Sequence, residues 1–164
     1  MEDMMWDFNE YSLTNKDFIE RGKISPSGKY MAKYDYVYSM SHYFTIRTMD
    51  YSKPDFMINA LALEFEWIND DYIIYTGTFT TLPAVTRVTQ GNMEHIRLFS
   101  GVDDLEYDYG FGKYSFSIKE ITKDRIVLED KNADASKGEK VIWEIPYVID
   151  ENGEFILPEQ LQGL

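Results

Sequence analysis

The feature that most constrains the fold is an alternating stripe between Tyr30 and Thr48. Its even positions carry mainly aromatic and apolar side chains, whereas the odd positions between them are mostly polar. Because successive side chains of a β-strand point to opposite faces, this period of two is typical of a half-buried strand. The stripe therefore predicts a β fold with an aromatic face that includes Tyr34, Tyr36, Tyr38, His42 and Phe44.

The length of the stripe predicts a hairpin. As one straight strand, the segment would extend about 60 Å, well beyond the usual strand length of about 17–20 Å. Since the parity is kept throughout, a three-residue loop at Ser39–Ser41 that pairs Tyr38 with His42 fits the pattern. The alternative is a single long strand, bent at a bulge near Ser39.

Further strand-like segments follow at hairpin spacing along the rest of the chain. They show no alternation with helical patterns, so a parallel β/α fold is not indicated. We expect a mainly antiparallel β fold of about 8–10 strands, either a barrel or a strongly curved sheet. The clearest of these segments are Leu61–Trp67, Tyr72–Thr76, Tyr114–Lys119, Arg125–Leu128 and Val141–Ile145.

The chain length of 164 residues predicts a single domain. Residues 1–24 form its N-terminal segment, in which Thr14–Gly22 is expected to be a short helix. Thr14 suits the N-cap, and Gly22 suits the left-handed position after the last turn. Residues 25–164 form the antiparallel β body.

Two short resemblances accompany the strand pattern. Gly28-Lys29-Tyr30 recurs as Gly112-Lys113-Tyr114, with Asp70-Asp71-Tyr72 midway, at a spacing of 42 residues. The segments Ser25–Ala32 and Trp67–Tyr75 resemble the start of a TolB-like β-propeller blade, although three such units would leave the propeller open. The segment from Tyr114 to Ile145 resembles the late hairpin of bacterial lipocalin-like barrels and implies no activity.

The net charge of −13, from 29 acidic and 16 basic residues, restricts the class of partner. It disfavours binding to nucleic acids and to anionic membrane surfaces, and it favours a basic protein partner. The absence of cysteine excludes disulfides and thiolate zinc sites. No apolar run is long enough to span a membrane, and the first residues do not read as a leader. A cytoplasmic location is favoured, with export after leader removal as the alternative.

Three segments are candidate sites, each with a structural alternative. The tyrosine face (Tyr34, Tyr36, Tyr38 and His42) offers rigid rings and hydroxyls for a partner or ligand, or it packs the core.

The loop Asp103–Gly110 places carboxylates among tyrosines, which suits a basic protein surface. Its alternative is an ordinary solvated loop, and its candidate contact residues are Asp103, Asp104, Glu106, Tyr107, Asp108 and Tyr109.

The third candidate is a cation loop. Oxygen-bearing side chains alternate at Asp130, Asn132, Asp134 and Ser136, which is the spacing of a calcium-binding loop. The sixth position is Ala135 instead of glycine, and the twelfth is Val141 instead of glutamate. The alternative is a polar connection between two strands. Calcium is the one cofactor that the sequence suggests, and otherwise none is expected.

Catalytic motifs are sparse. Glu64 and Glu66 lie on one side of a predicted strand beside Trp67, and such a pair could serve glycoside chemistry. We expect a non-enzymatic acidic interaction protein, specifically a bacterial inhibitor or immunity-type protein that occludes a toxin or another basic protein. The alternatives are a small-molecule-binding barrel that uses the tyrosine face and a hydrolase that uses Glu64, Glu66 or His42.

Overall fold

A computed structural model describes residues 22–38, 41–50, 52–54, 56–59, 64–76, 83–88, 95–100, 115–158 and 161–162. This part of the chain is mainly β and almost wholly antiparallel, which confirms the predicted fold class. It contains no α-helix, and the helix predicted over Thr14–Gly22 lies outside it, apart from Gly22. The strands are β1 (Lys23–Ile24), β2 (Tyr30–Tyr38), β3 (Ser41–Thr48), β4 (Phe56–Asn59), β5 (Glu64–Trp67), β6 (Tyr72–Thr76), β7 (Ala84–Arg87), β8 (His95–Arg97), β9 (Phe99–Ser100), β10 (Phe116–Ile121), β11 (Arg125–Asp130), β12 (Ile142–Pro146), β13 (Val148–Ile149), β14 (Phe155–Ile156) and β15 (Leu161–Gln162).

The first sheet has the order β1-β2-β3-β4 and contains the alternating stripe. The turn between β1 and β2 is closed by Ser25, whose hydroxyl accepts the amide of Tyr30 at 3.0 Å. Gly28 has a φ of 81°, a left-handed conformation that favours glycine. The predicted hairpin of β2 and β3 is confirmed, and the alternative of one long bent strand is wrong.

The register of this hairpin differs from the predicted one. Tyr36 is paired with His42, so the even positions oppose one another as expected, but shifted by two residues. A register irregularity between Tyr36 and Tyr38 then pairs Tyr38 with Ser41. The alternation thus predicted correctly that even positions pair with even positions. It did not predict which even positions pair, and the register differs near the irregularity.

The second sheet has the order β5-β6-β7-β8 and repeats the same meander. Its first turn is closed by Asn69, whose side-chain oxygen accepts the amides of Asp71 and Tyr72 at 2.8 and 3.0 Å. This side chain replaces a backbone turn bond, a common use of asparagine at such positions. Tyr72 then begins the second strand of this sheet, as Tyr30 does in the first sheet.

The third sheet has the order β10-β11-β12, with a bulge in β10 between Ile118 and Glu120. The short hairpin of β13 and β14 follows it. A two-residue parallel pair joins β9 to β15 and is the exception to antiparallel pairing in the described strands. No helix among the described residues is long and apolar enough to cross a membrane.

The three larger sheets pack face to face in chain order. The stack of Tyr30 on Trp67, with ring centroids 6.5 Å apart, lies between the first two sheets, and the edge contact of Phe116 with Trp143 lies in the second core. The first core contains Tyr30, Ala32, Ile46, Phe65, Trp67, Ile73, Tyr75, Ala84 and Val88. The second contains Tyr72, Ile74, Val85, Leu98, Phe116, Ile126, Leu128, Trp143, Ile145, Tyr147 and Phe155.

The predicted barrel or single curved sheet is therefore wrong for the described strands, which form separate sheets and no closed barrel. The physical reason lies in the second sheet, where β6 is buried at all five positions. A sheet that is apolar on both faces needs a cover on each side, which stacked sheets provide and the wall of one barrel does not.

The face of the stripe that was expected to be polar and exposed is also buried. Met31, Lys33, Thr45 and Arg47 retain at most 8% of their accessible surface. Lys33 lies directly across from Thr45, and Met31 lies across from Arg47, so the four share one face of β2 and β3. A buried cation is stable only with compensating partners, and Lys33 and Arg47 both have such interactions. At Tyr30–Lys33 and Thr45–Thr48, the strands inferred from the sequence to be half-buried are thus covered on both sides.

Candidate functional site

The first strands of the three sheets meet at a seam, which we define by Lys23, Glu64, Glu66 and Ile118. The Lys23 ammonium group donates to the carbonyl oxygen of Phe65 at 2.8 Å and forms an ion pair with Glu66. It also lies 5.0 Å from the centroid of the Phe65 ring. Because these contacts join β1 to β5, Glu66 connects the second sheet to the first.

Glu64 contacts the third sheet, whereas Glu66 contacts the first. Its Oε1 accepts the backbone amide of Ile118 in β10, so this carboxylate connects the second sheet to the third. Thr76 lies directly across from Glu64 in the register of β5 and β6. The two carboxylates that the sequence offered as a catalytic pair thus bind different sheets. The side chain of His42, the third residue of the predicted hydrolase, is outside the described residues.

A second link joins the turns of the first two sheets. The amide of Ser27 donates to Asp70 Oδ1 at 3.1 Å, and the Ser27 hydroxyl donates to Oδ2. Burial tends to raise the pKa of the Asp70 carboxyl, but hydrogen bonds from Ser27 and Ser25 and the charge of Lys29 outweigh it. The net effect holds the pKa of Asp70 below its usual value, so the link is made by the ionised carboxylate.

The segment predicted to bind calcium forms one compact connection between β11 and β12. Asp130 is only 4% exposed, and its Oδ1 accepts the amides of Ser115 and Asn132, both at 3.0 Å. Asp134 Oδ1 accepts the amide and hydroxyl of Ser136 at 2.9 and 2.6 Å and caps the 3-10 helix Ala135–Lys137. One oxygen of each aspartate is thus used by two protein donors.

Metal ligation by this loop stays a prediction. The structure brings Asp130, Asn132, Asp134 and Ser136 into one connection, as the sequence indicated. Across the residues that are described, no three His, Asp or Glu side chains are grouped as a metal site requires. The hydrogen bonds of Asp130 and Asp134 correspond to the alternative, a polar connection between strands.

For the tyrosine face, the structure describes the backbone positions and their pairing. Tyr36 lies opposite His42 and Tyr34 opposite Phe44, so the register brings these four positions to one face near the end of the hairpin. Tyr38 follows the irregularity and is paired with Ser41. The side chains of Tyr34, Tyr36, Tyr38 and His42 lie outside the described part of the structure. So does the whole acidic loop, with Asp103, Asp104, Glu106, Tyr107, Asp108 and Tyr109.

Sequence reasoning missed Lys23 and the role of Asp70. Lys23 lies in a two-residue strand that has no alternation of its own, and its partners are 42 and 43 residues away. Asp70 was visible as part of the turn Asn69-Asp70-Asp71, within one of the segments that resemble a propeller blade. Comparison of the chain with protein-family models, curated proteins and solved structures found no match.

Proposed function

We propose that this chain is a non-enzymatic interaction protein of the inhibitor or immunity type, which binds and occludes a basic protein. The observation that carries the proposal is that five carboxylates in the described part of the chain are bound within the fold. Glu64, Glu66, Asp70, Asp130 and Asp134 each accept a hydrogen bond or form an ion pair within the fold. Carboxylates committed in this way stabilise a scaffold, and a general acid or base must instead reach a substrate.

The net charge supplies the second support. A chain of charge −13 attracts a basic protein at long range and accelerates their association. Buried cations add to this imbalance, because Lys33 and Arg47 are withdrawn from the surface, whereas Asp130 is the one buried acidic residue among those whose burial is described. The described part of the surface therefore carries more acidic than basic side chains.

The partner-binding residues that we propose are those predicted from the sequence. The hairpin end would supply Tyr34, Tyr36, Tyr38 and His42 as anchors with large rigid side chains. The segment Asp103–Tyr109 would supply carboxylates for lysine and arginine side chains of the partner. Protein interfaces are commonly enriched in aromatic residues and have a polar rim.

The experiment compares two variants that change the net charge equally. The purified chain is used to capture a protein from its native host, and the captured protein is purified and its affinity measured by calorimetry. We expect Asp103→Asn with Asp104→Asn to weaken binding about tenfold or more. The control, Glu120→Gln with Glu151→Gln, alters two acidic residues on the third sheet and in the turn before β14, and it should leave binding within about twofold.

Three results would overturn the proposal. Failure to capture any stable partner is the first, and capture of a protein that is not basic is the second. The third is equal weakening by both variants, because it would show attraction by net charge without a specific site. Raising the salt concentration should weaken the specific complex, since the partners carry opposite charges.

The two alternatives from the sequence have lost part of their structural basis. The small-molecule alternative required the interior of a barrel, and the described strands do not close into one. The hydrolase alternative required a free carboxylate pair, whereas Glu64 and Glu66 hold two different sheets to β5. Assay of the chain and of Glu66→Gln against a panel of glycosides tests that activity directly.

A further inference from the structure

Arg87, the last residue of β7, is held over an aromatic ring at the edge of the second core. It lies directly across from Tyr72 in the register of β6 and β7, so both side chains are on the same face of the second sheet. The guanidinium carbon is 5.6 Å from the centroid of the Tyr72 ring. At this distance a cation is attracted to the face of the ring, so the stack fixes the position of the guanidinium group.

The ring beneath Arg87 is itself held in place. The centroid of the Phe155 ring lies 5.7 Å from that of Tyr72 and 5.2 Å from that of Tyr147, so the three rings contact one another in succession. The Tyr147 hydroxyl donates to the carbonyl oxygen of Thr122, which anchors the far end of this series. All three rings are buried. A guanidinium group on such a support is already ordered before a ligand binds, which lowers the entropic cost of binding.

The positive charge of Arg87 is not matched by a carboxylate in the described part of the chain. Among the described residues, Arg87 takes part in no ion pair, and its buried Nε has no hydrogen-bond acceptor. Asp71 contributes its backbone oxygen to the amide of Val88 and no ion pair to Arg87. By contrast, Arg125 lies 3.3 Å from Glu144. The chain has 29 acidic residues, so a shortage of carboxylates does not explain the missing partner.

The guanidinium group is reachable from solvent beside an apolar rim. Arg87 is partly exposed, and Nε is the only one of its three nitrogens that is buried without a partner, so the two terminal nitrogens remain accessible. Ile149 lies directly across from Phe155, and Leu157 follows two residues after Phe155. Both are partly buried against the second core and form its rim on this side. A ligand that approaches Arg87 therefore meets two N–H donors next to hydrocarbon.

Such a group selects an oxyanion. The parallel N–H donors of a guanidinium group match two oxygens of a carboxylate, and they match phosphate in the same way. The net charge of −13 distinguishes these ligands, because a dianionic phosphate is repelled about twice as strongly as a carboxylate with a single charge. The apolar rim also favours an anion that carries a hydrocarbon group over a fully hydrated inorganic ion.

We propose that Arg87 is the recognition residue of a binding site for a carboxylate ligand that carries an apolar group. The terminal nitrogens of Arg87 donate to the two carboxylate oxygens, and the apolar group lies against the rim of the second core. The site is separate from the acidic surface of the proposed function, since it takes a ligand whose charge is opposite to that of a basic partner. Each proposal can therefore fail without the other.

The experiment follows the backbone amide resonances of Tyr72 and Val88 by NMR while sodium benzoate is added at constant ionic strength. Benzoate combines a carboxylate with an apolar ring, and benzamide is the control ligand with the same ring and no charge. We expect saturable shifts with benzoate at millimolar concentrations and none with benzamide. The side-chain Nε–H resonance of Arg87 should shift with the same saturation, and that of Arg125 should not. Inorganic phosphate should bind about fivefold or more weakly than benzoate.

Three variants locate the binding. Arg87→Gln should weaken benzoate binding about tenfold or more. The matched control, Arg125→Gln, removes the same charge at an exposed ion pair and should leave binding within about twofold. Arg87→Lys keeps the charge but loses the parallel donors, and it should weaken binding about threefold or more. Melting temperatures show whether each variant is folded, and Arg87→Lys decides if Arg87→Gln is not.

Four results would overturn the proposal. The first is the absence of saturable shifts at Arg87, Tyr72 and Val88 with benzoate, and the second is equal binding of benzamide. The third is unchanged affinity in a folded variant of Arg87, or equal weakening by Arg125→Gln, because benzoate would then bind elsewhere or through net charge. The fourth is tighter binding of phosphate than of benzoate, which would contradict the choice of a carboxylate.

Discussion

Asp130 should stabilise the third sheet more than any other residue of its loop. The side chain is 4% exposed, and its Oδ1 accepts the amides of Ser115, which precedes β10, and Asn132, which follows β11. It thus fastens the open end of the β10–β11 pair, beyond the register pair of Phe116 and Asp130. Removal of this carboxylate leaves two amides without their acceptor.

The expected magnitude follows from these two hydrogen bonds. A hydrogen bond to a charged group contributes about 1.5–3 kcal/mol, and the low end applies because Ser115 and Asn132 are exposed to water. Asp130→Ala should therefore lower the free energy of unfolding by about 3 kcal/mol. For a chain of this size, that corresponds to a decrease in melting temperature of roughly 9 °C. Asp130→Asn keeps an acceptor of the same shape and should lose only about 1 kcal/mol.

Urea denaturation followed by circular dichroism measures these differences. Asp134→Ala is the control in the same loop, because it removes a cap at an incompletely buried site and should cost about 1 kcal/mol. The reasoning is refuted if Asp130→Ala destabilises no more than Asp134→Ala. It is also refuted if Asp130→Asn is as harmful as Asp130→Ala, since the acceptor geometry would then be irrelevant.

Three further predictions concern titration and calcium. Because folding lowers the pKa of Asp70, the ionised carboxylate stabilises the fold at pH values above the pKa of the unfolded state, near 4. This stability is lost as the pH falls through the lower pKa of the folded state. The difference in melting temperature between the wild type and Asp70→Asn should thus shrink below about pH 4, and a constant difference would contradict the role of the charge. Burial raises the pKa of Tyr75, and burial with the charge of Asp124 raises that of Tyr147, so stability should fall as the pH rises above about 10. In thermal melts, Tyr147→Phe should reduce this loss of stability at alkaline pH. An unchanged loss would argue against ionisation of Tyr147 as its cause. Millimolar calcium should leave the melting temperature unchanged, because Asp130 and Asp134 each direct an oxygen to two protein donors, and a clear rise would support the predicted calcium loop.

The local structure could be read from the sequence to a useful extent. The alternation from Tyr30 to Thr48 predicted strands, a hairpin and the parity of its pairing. The turns at Ser25–Gly28 and Asn69–Asp71 consist of residue types that favour turns. The actual register depended on the irregularity between Tyr36 and Tyr38, which alternation does not encode. The strand count suggested a barrel, whereas the described strands form separate sheets.

The repeat was only partly informative. Tyr30 and Tyr72 both begin the second strand of a four-stranded sheet, so these two copies are structurally equivalent. The third copy, Gly112-Lys113-Tyr114, precedes the first strand of its sheet, whose second strand begins at Arg125. A spacing of 42 residues therefore did not continue through the third sheet.

The sequence by itself determined the main strand segments and the parity of the β2–β3 hairpin, because these depend on neighbours within a few residues. The tertiary structure alone decided that the strands divide into stacked sheets and that both faces of the stripe are covered at Tyr30–Lys33 and Thr45–Thr48. It also decided that Glu64, Glu66 and Asp70 serve as links. Their partners, Ile118, Lys23 and Ser27, are between 43 and 54 residues away in the chain. Burial and pairing over such distances are set by the packing of whole sheets, which the local pattern of side chains does not specify.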